Sequence, residues 1–119
     1  MQSLKRYKDI ILYLIFCILV LGGAYAWTTS RPTQLTINWQ TESELDIIGF
    51  NLYRSNQLDG QYEQINERLI PPAADPLVGG DYAFIDGDVQ AGQTYYYILE
   101  TVDRNGAIIR RDPLPLTAK

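Results

Sequence analysis

The side chains in this sequence with chemistry to offer are carboxylates. Glu42, Glu44 and Asp46 crowd into one short stretch, and Asp75, Asp81, Asp86 and Asp88 recur further along. Two carboxylates can act as the acid and base of glycoside hydrolysis, but only in a cleft that raises one of their pKa values. A small β domain offers no such cleft, so the 42–46 stretch is expected to be a solvated loop. The four aspartates supply the hard oxygen ligands that calcium takes. They lack EF-hand spacing, and Asp-Gly is ordinary turn chemistry, so no metal is expected. The chain has no histidine, and so lacks the commonest general base and the commonest ligand of zinc and haem iron. A single cysteine, Cys17, rules out thiolate zinc and iron–sulfur sites, and serine–histidine catalysis is impossible. Arg110-Arg111 reads as a solvated strand face. The expectation is a protein that is not an enzyme and carries no cofactor and no small-molecule substrate.

The element that must position everything else is residues 10–27, eighteen residues without a charge. As a helix this run reaches roughly 27 Å, close to the ~30 Å hydrocarbon core of a bilayer. It is expected to be a transmembrane helix, preceded by a cytoplasmic tail, 1–9, and followed by a linker, 28–33, and one folded domain, 34–119. Lys5, Arg6 and Lys8 in the tail face only Asp9, whereas from residue 28 onward seven Lys and Arg face thirteen Asp and Glu. Basic flanks stay in the cytoplasm, so the domain is expected outside, periplasmic or extracellular, at the cell membrane. An acidic domain also argues against a nucleic-acid partner. A basic start followed by Ala24-Tyr25-Ala26 also describes a signal peptide, but the apolar run exceeds the usual length of that region, which favours an uncleaved anchor. Cys17 lies within the run, so no disulfide stabilises the domain.

Residues 34–40, Q-L-T-I-N-W-Q, alternate strictly, with Leu35, Ile37 and Trp39 on one face, the period of a half-buried strand. Strands are likewise expected at 49–55, 62–66, 81–86 and 94–102, and a last one at 107–111. Asp59-Gly60 and Asn105-Gly106 mark tight turns. Residues 69–80 hold Pro71, Pro72, Pro76, Gly79 and Gly80, which forbids regular structure and implies a long surface loop. Short strands separated by turn signals, with no helical period, indicate an all-β sandwich.

With these strands placed, Leu35-x-Ile37-x-Trp39, Gly49-Phe50-x-Leu52 and Gly92-x-x-Tyr95-x-Tyr97-x-Leu99 resemble a fibronectin type III domain, an immunoglobulin-like β-sandwich. The run W-x-T-x-S-E-x-D-x-x-G-F-x-L-Y-R at 39–54 is similar to the variant common in bacterial exported proteins. The resemblance implies a core of Trp39, Phe50, Leu52, Tyr95, Tyr97 and Leu99, with Tyr95 as the corner tyrosine bonded to nearby backbone. Two departures stand out. The first strand is nearly absent, since Arg31-Pro32-Thr33 offers little apolar material, and the Pro-rich loop is longer than a simple type III domain needs. The first edge is therefore open or covered by a partner.

Candidate contact residues follow. Gly22, Gly23 and Ala26 form a small-residue patch that lets another helix approach. Tyr53, Tyr62, Tyr82 and Tyr96 are expected to face outward, where tyrosines favour protein interfaces. Pro71, Pro72 and Pro76 present the loop. The sequence points to a non-catalytic accessory subunit of a larger bacterial membrane complex, with respiratory and photosynthetic electron-transfer assemblies among the candidates. Its partners would be the membrane and other integral-membrane and extracytoplasmic subunits. The alternative is a free-standing, membrane-anchored adhesion or binding module. A linker of six residues suits the first, because an adhesin is usually displayed on a stalk or in tandem copies.

Overall fold

Seven strands form where apolar and polar residues alternate, and Gly, Pro and Asp-rich segments interrupt them. The computed structural model describes Thr33–Lys119 and, before them, Lys8. Apart from Lys8 and Thr33, the expected tail, span and linker, with Gly22, Gly23 and Ala26, lie outside the described residues. Among those described, no helix is long and apolar enough to cross a membrane. The strands are β1 (Leu35–Gln40), β2 (Ile47–Ser55), β3 (Glu63–Gln64), β4 (Asp81–Asp86), β5 (Thr94–Asp103), β6 (Ile108–Arg110) and β7 (Leu114–Thr117).

Two antiparallel sheets result. One contains only β1 and β4, in register from Leu35↔Asp86 to Gln40↔Asp81. The other runs β3-β2-β5-β6, with β7 also paired to β5. β2 occupies one edge of β5, so β6 and β7 share the other, Arg110 opposite Glu100 and Leu114 opposite Tyr97. The last strand is expected at 107–111; the structure ends β6 at Arg110 and adds β7, which completes the sheet. A Pro-flanked L-P-L-T hides its strand character, because Pro115 is tolerated only where an N–H need not pair, at an edge. Asn105-Gly106 makes the β5–β6 turn, with Gly106 at φ +81°, a backbone region that suits glycine.

Trp39, Phe50, Leu52, Tyr95, Tyr97 and Leu99 are all buried, together with Ile37 and Ala118. The core brings both sheets together. Trp39 of β1 meets Phe50 of β2 edge-on, with ring centroids 5.8 Å apart, and stacks on its cross-strand neighbour Tyr82 at 5.0 Å. The expected outward position of Tyr82 is therefore corrected. Asp81 is exposed and Tyr82 is half-buried, and pairing with Trp39 places the ring on the inner face, 4.9 Å from Phe50. The tyrosine at 95 receives the Gln90 N–H on its hydroxyl at 2.9 Å, tying the approach to β5 to the strand itself.

Candidate contact surface

The acidic stretch before β2 is the first surprise. Glu42 and Asp46 are exposed, but Glu44 is 1% exposed, so the expected solvated loop is only partly right. Thr41 and Tyr82 donate their hydroxyls to Glu44 Oε1, and the Ala73 N–H donates to Oε2 at 2.7 Å. Burial alone would raise the Glu44 pKa, but these donors outweigh it and hold the carboxyl below its ordinary value. Around it, the Glu44 N–H reaches Pro76 O at 2.7 Å, and the Gly80 N–H reaches Thr41 Oγ1 at 2.9 Å. One buried carboxylate thus pins the Pro-rich loop at Ala73 and draws in its neighbours at 76 and 80. Gly79 sits at φ +67°, where a Cβ would lie 2.1 Å from Thr41 O, so the loop can pass this closely only as glycine.

Clamped at its base, the loop presents its tip. Pro71 and Pro76 are exposed and Pro72 is half-buried, while Leu77 and Val78 are 70% and 69% exposed. The sequence reading named the prolines and missed the two aliphatics between them and Gly79. Glycine and proline gave the loop its legible signal; which apolar side chains point outward depends on the Glu44 anchor.

Tyr53 and Tyr96 lie on the outer face of the larger sheet, because Phe50, Leu52, Tyr95 and Tyr97 alternate with them on the inner one. Tyr53 is not free there. Its hydroxyl meets Glu100 Oε1 at 3.3 Å, and the Arg110 guanidinium lies over its ring at 4.9 Å. Glu100, only 2% exposed, also receives Asn51 Nδ2 at 3.0 Å and Arg110 Nε at 2.8 Å. Burial would raise its pKa, yet Asn51, Arg110 and Tyr53 together hold it below the usual value. Arg110 is thus a structural partner of this face and not a bare solvated cation. Tyr62 donates its hydroxyl to Leu58 O at 2.8 Å and bridges its own turn. The four tyrosines and three prolines therefore do not form one patch: three tyrosines belong to the β3-β2-β5 face or its turn, Tyr82 to the core, and the prolines to the loop.

The aspartates behave similarly. Asp86 and Asp88 do come together, but around Arg54, which reaches Asp86 with Nη1 at 2.8 Å and Asp88 with Nη2 at 3.3 Å. Tyr97 donates its hydroxyl to Asp86 Oδ2 at 2.9 Å, and burial followed by that bond pushes the hydroxyl above the usual tyrosine range. An arginine thus occupies the place a cation would need. Among the described residues, no group of three or more acidic, histidine or cysteine side chains is arranged to hold a metal.

The first edge, expected to be open or covered by a partner, is that of β1, which among the described residues pairs with β4 alone. A cavity of about 230 Å³ opens between the sheets, lined by Ile37, Trp39, Leu52, Tyr97, Leu99 and Leu114 with Arg111 and Asp112. A wider polar hollow adjoins it at Arg111, with Glu42 and Asp81 in its wall. The chain matches no family model, no curated protein and no solved structure.

Proposed function

We propose that this chain is a non-catalytic, single-pass accessory subunit of a larger bacterial membrane complex, its extracytoplasmic domain a type III-like sandwich that docks on a neighbouring subunit. The observation that carries this reading is the use made of the buried carboxylates. Glu44, Asp86 and Glu100 are each committed to holding strands and loops together, while large apolar side chains stand out at the surface in Leu77, Val78, Ile108, Ile109 and Leu114. Reactive groups turned inward for structure and apolar groups turned outward suit a protein whose work is contact. The sandwich reading draws support from two facing antiparallel sheets with Trp39 at their centre and a corner bond at Tyr95. The anchor and its orientation rest on the uncharged run at 10–27 and the basic residues before it.

Native gels of membranes solubilised in mild detergent test the proposal. The chain should migrate within a large assembly, and Leu77→Asp/Val78→Asp should release it without unfolding the domain. Migration as a free species in gentle detergent would remove the subunit reading and leave the anchored binding module.

A further inference from the structure

We propose that the free edge of β1 is a strand-addition site that takes an extended, basic segment of a partner polypeptide, one of whose large apolar side chains enters the cavity between the sheets. The inference deepens the subunit reading by naming the docking surface, and it rests on that reading for the existence of a partner.

Exposed sheet edges invite pairing with other chains, and natural proteins blunt them with charge, proline or brevity. Four edges of this domain are blunted in these ways. β3 is two residues long and includes Glu63, β6 is three residues long and ends in Arg110, β7 carries Pro115, and β4 begins and ends with Asp81 and Asp86. β1 differs: L-T-I-N-W-Q holds no charge, no proline and no glycine, and among the described residues it pairs with β4 alone. Six residues make an edge of about 20 Å. Immediately beside it, between β1 and the Arg111–Leu114 break that separates β6 from β7, lies the apolar cavity. Its ~230 Å³ exceeds the ~150 Å³ that is enough to hold a benzene ring, so one aromatic or branched side chain fits. Trp39 lines it, and Trp39 Nε1 is, among the described residues, a buried donor with no hydrogen-bond partner. A row of unpaired backbone groups next to a pocket for one side chain is the geometry by which added strands are recognised.

Charge selects the occupant. Glu42, Asp81 and Asp112 stand along the cavity and its adjoining hollow against Arg111 alone, which calls for a basic segment. The chain's own five residues between the expected span and Thr33 suit the site poorly. Thr28-Thr29-Ser30-Arg31-Pro32 has no large apolar side chain for the cavity, and Pro32 has no N–H for the ladder. A second copy laid antiparallel along β1 would bring its uncharged Thr33-Gln34 beside the acids and offer one cation, Arg31, to three of them.

The test uses the full chain in detergent and a fluorescein-labelled nine-residue peptide that alternates threonine with valine around one central phenylalanine and ends in lysines. Anisotropy should show saturable binding at micromolar concentration. Replacing the phenylalanine by alanine should weaken it about tenfold, as should Leu114→Trp, which fills the mouth of the cavity at a position 46% exposed and so leaves the fold intact. Glu42→Lys/Asp112→Lys, also at exposed positions, should reverse the preference toward a peptide ending in glutamates. Of two peptides N-methylated on alternate amides, one set should bind and the other should not, because only one row of N–H groups faces β1. Equal binding of both methylated forms, or no saturation up to millimolar peptide, overturns the proposal. So does a dimer in sedimentation that Leu114→Trp dissociates, since the occupant would then be a second copy. Peptide binding that arises only after residues 28–32 are replaced by glycine and serine makes the chain's own segment the occupant and likewise overturns it. Comigration with a complex in native gels, with the peptide failing, would leave the subunit reading standing and remove this one alone.

Discussion

The two sides of Trp39 are built on opposite plans. Toward Tyr82 and the Pro-rich loop, both carboxylate oxygens of Glu44 have donors, and the loop is tied down at Ala73, Pro76 and Gly80. Toward Leu114, the same indole lines a cavity beside a strand edge that is unpaired among the described residues. A domain of this size has few apolar residues to distribute, and here a buried carboxylate network does the closing on one side while the other is left open. The difference teaches that burial of charge in this molecule accompanies closure, and that the open side is the apolar one.

Among substitutions on the two sides, the largest effect belongs to the residue both share. Trp39→Ala removes the ring that stacks on Tyr82 and meets Phe50, and should cost about 3–5 kcal/mol in urea unfolding of the full chain, most of what a small domain has. On the closed side, Glu44→Leu takes the carboxylate from the Thr41 and Tyr82 hydroxyls and leaves the Ala73 N–H with the Tyr82 hydroxyl alone, for about 2–4 kcal/mol. Hydrogen exchange at Ala73 and Gly80 should speed up with it. An exchange rate unchanged at both would show that the loop is held by something other than Glu44.

The same clamp has a pH signature. Folding lowers the pKa of Glu44, and of Glu100, below the unfolded value of 4.5, so the ionised forms stabilise the fold above that pH. This stabilisation is lost as pH falls below 4.5 and through the lower folded pKa values. Melting temperature should drop over that range, and Glu44→Gln should flatten part of the drop. An equally steep profile in the variant would assign the acid sensitivity elsewhere.

Gly79→Ala forces a Cβ onto Thr41 O at a positive φ and should cost about 1–3 kcal/mol, with the loss read as protease cleavage in the loop before global unfolding. Smallest is the open side. Leu114→Ala should change stability by less than about 1 kcal/mol, because its side chain already faces solvent and the cavity it borders is unfilled. A larger loss would mean that the cavity is closed in solution, and the contrast between the two sides would disappear.

What the sequence determined by itself is what periodicity and punctuation encode. Leu35, Ile37 and Trp39 alternate, as do Phe50 and Leu52, and Tyr95, Tyr97 and Leu99, and each set is on the inner face because a strand turns successive side chains to opposite sides. Asn105-Gly106 and the Pro- and Gly-rich 69–80 stretch were equally plain, since φ > 0 and a missing N–H are properties of single residues. Only tertiary structure decided the rest. Tyr82 reads as one more exposed tyrosine until β4 pairs with β1 and sets it opposite Trp39, and Glu44 reads as a solvated acid until Ala73 and Tyr82, both distant in sequence, join Thr41 around it. β7 takes its place from β5, and the cavity beside β1 exists because Leu52, Tyr97, Leu99 and Leu114 of the other sheet come to line it with Ile37 and Trp39. Alternation is local and leaves a mark at each residue; which edge is covered, and which carboxylate is buried, depends on partners tens of residues away, and no single segment carries that information.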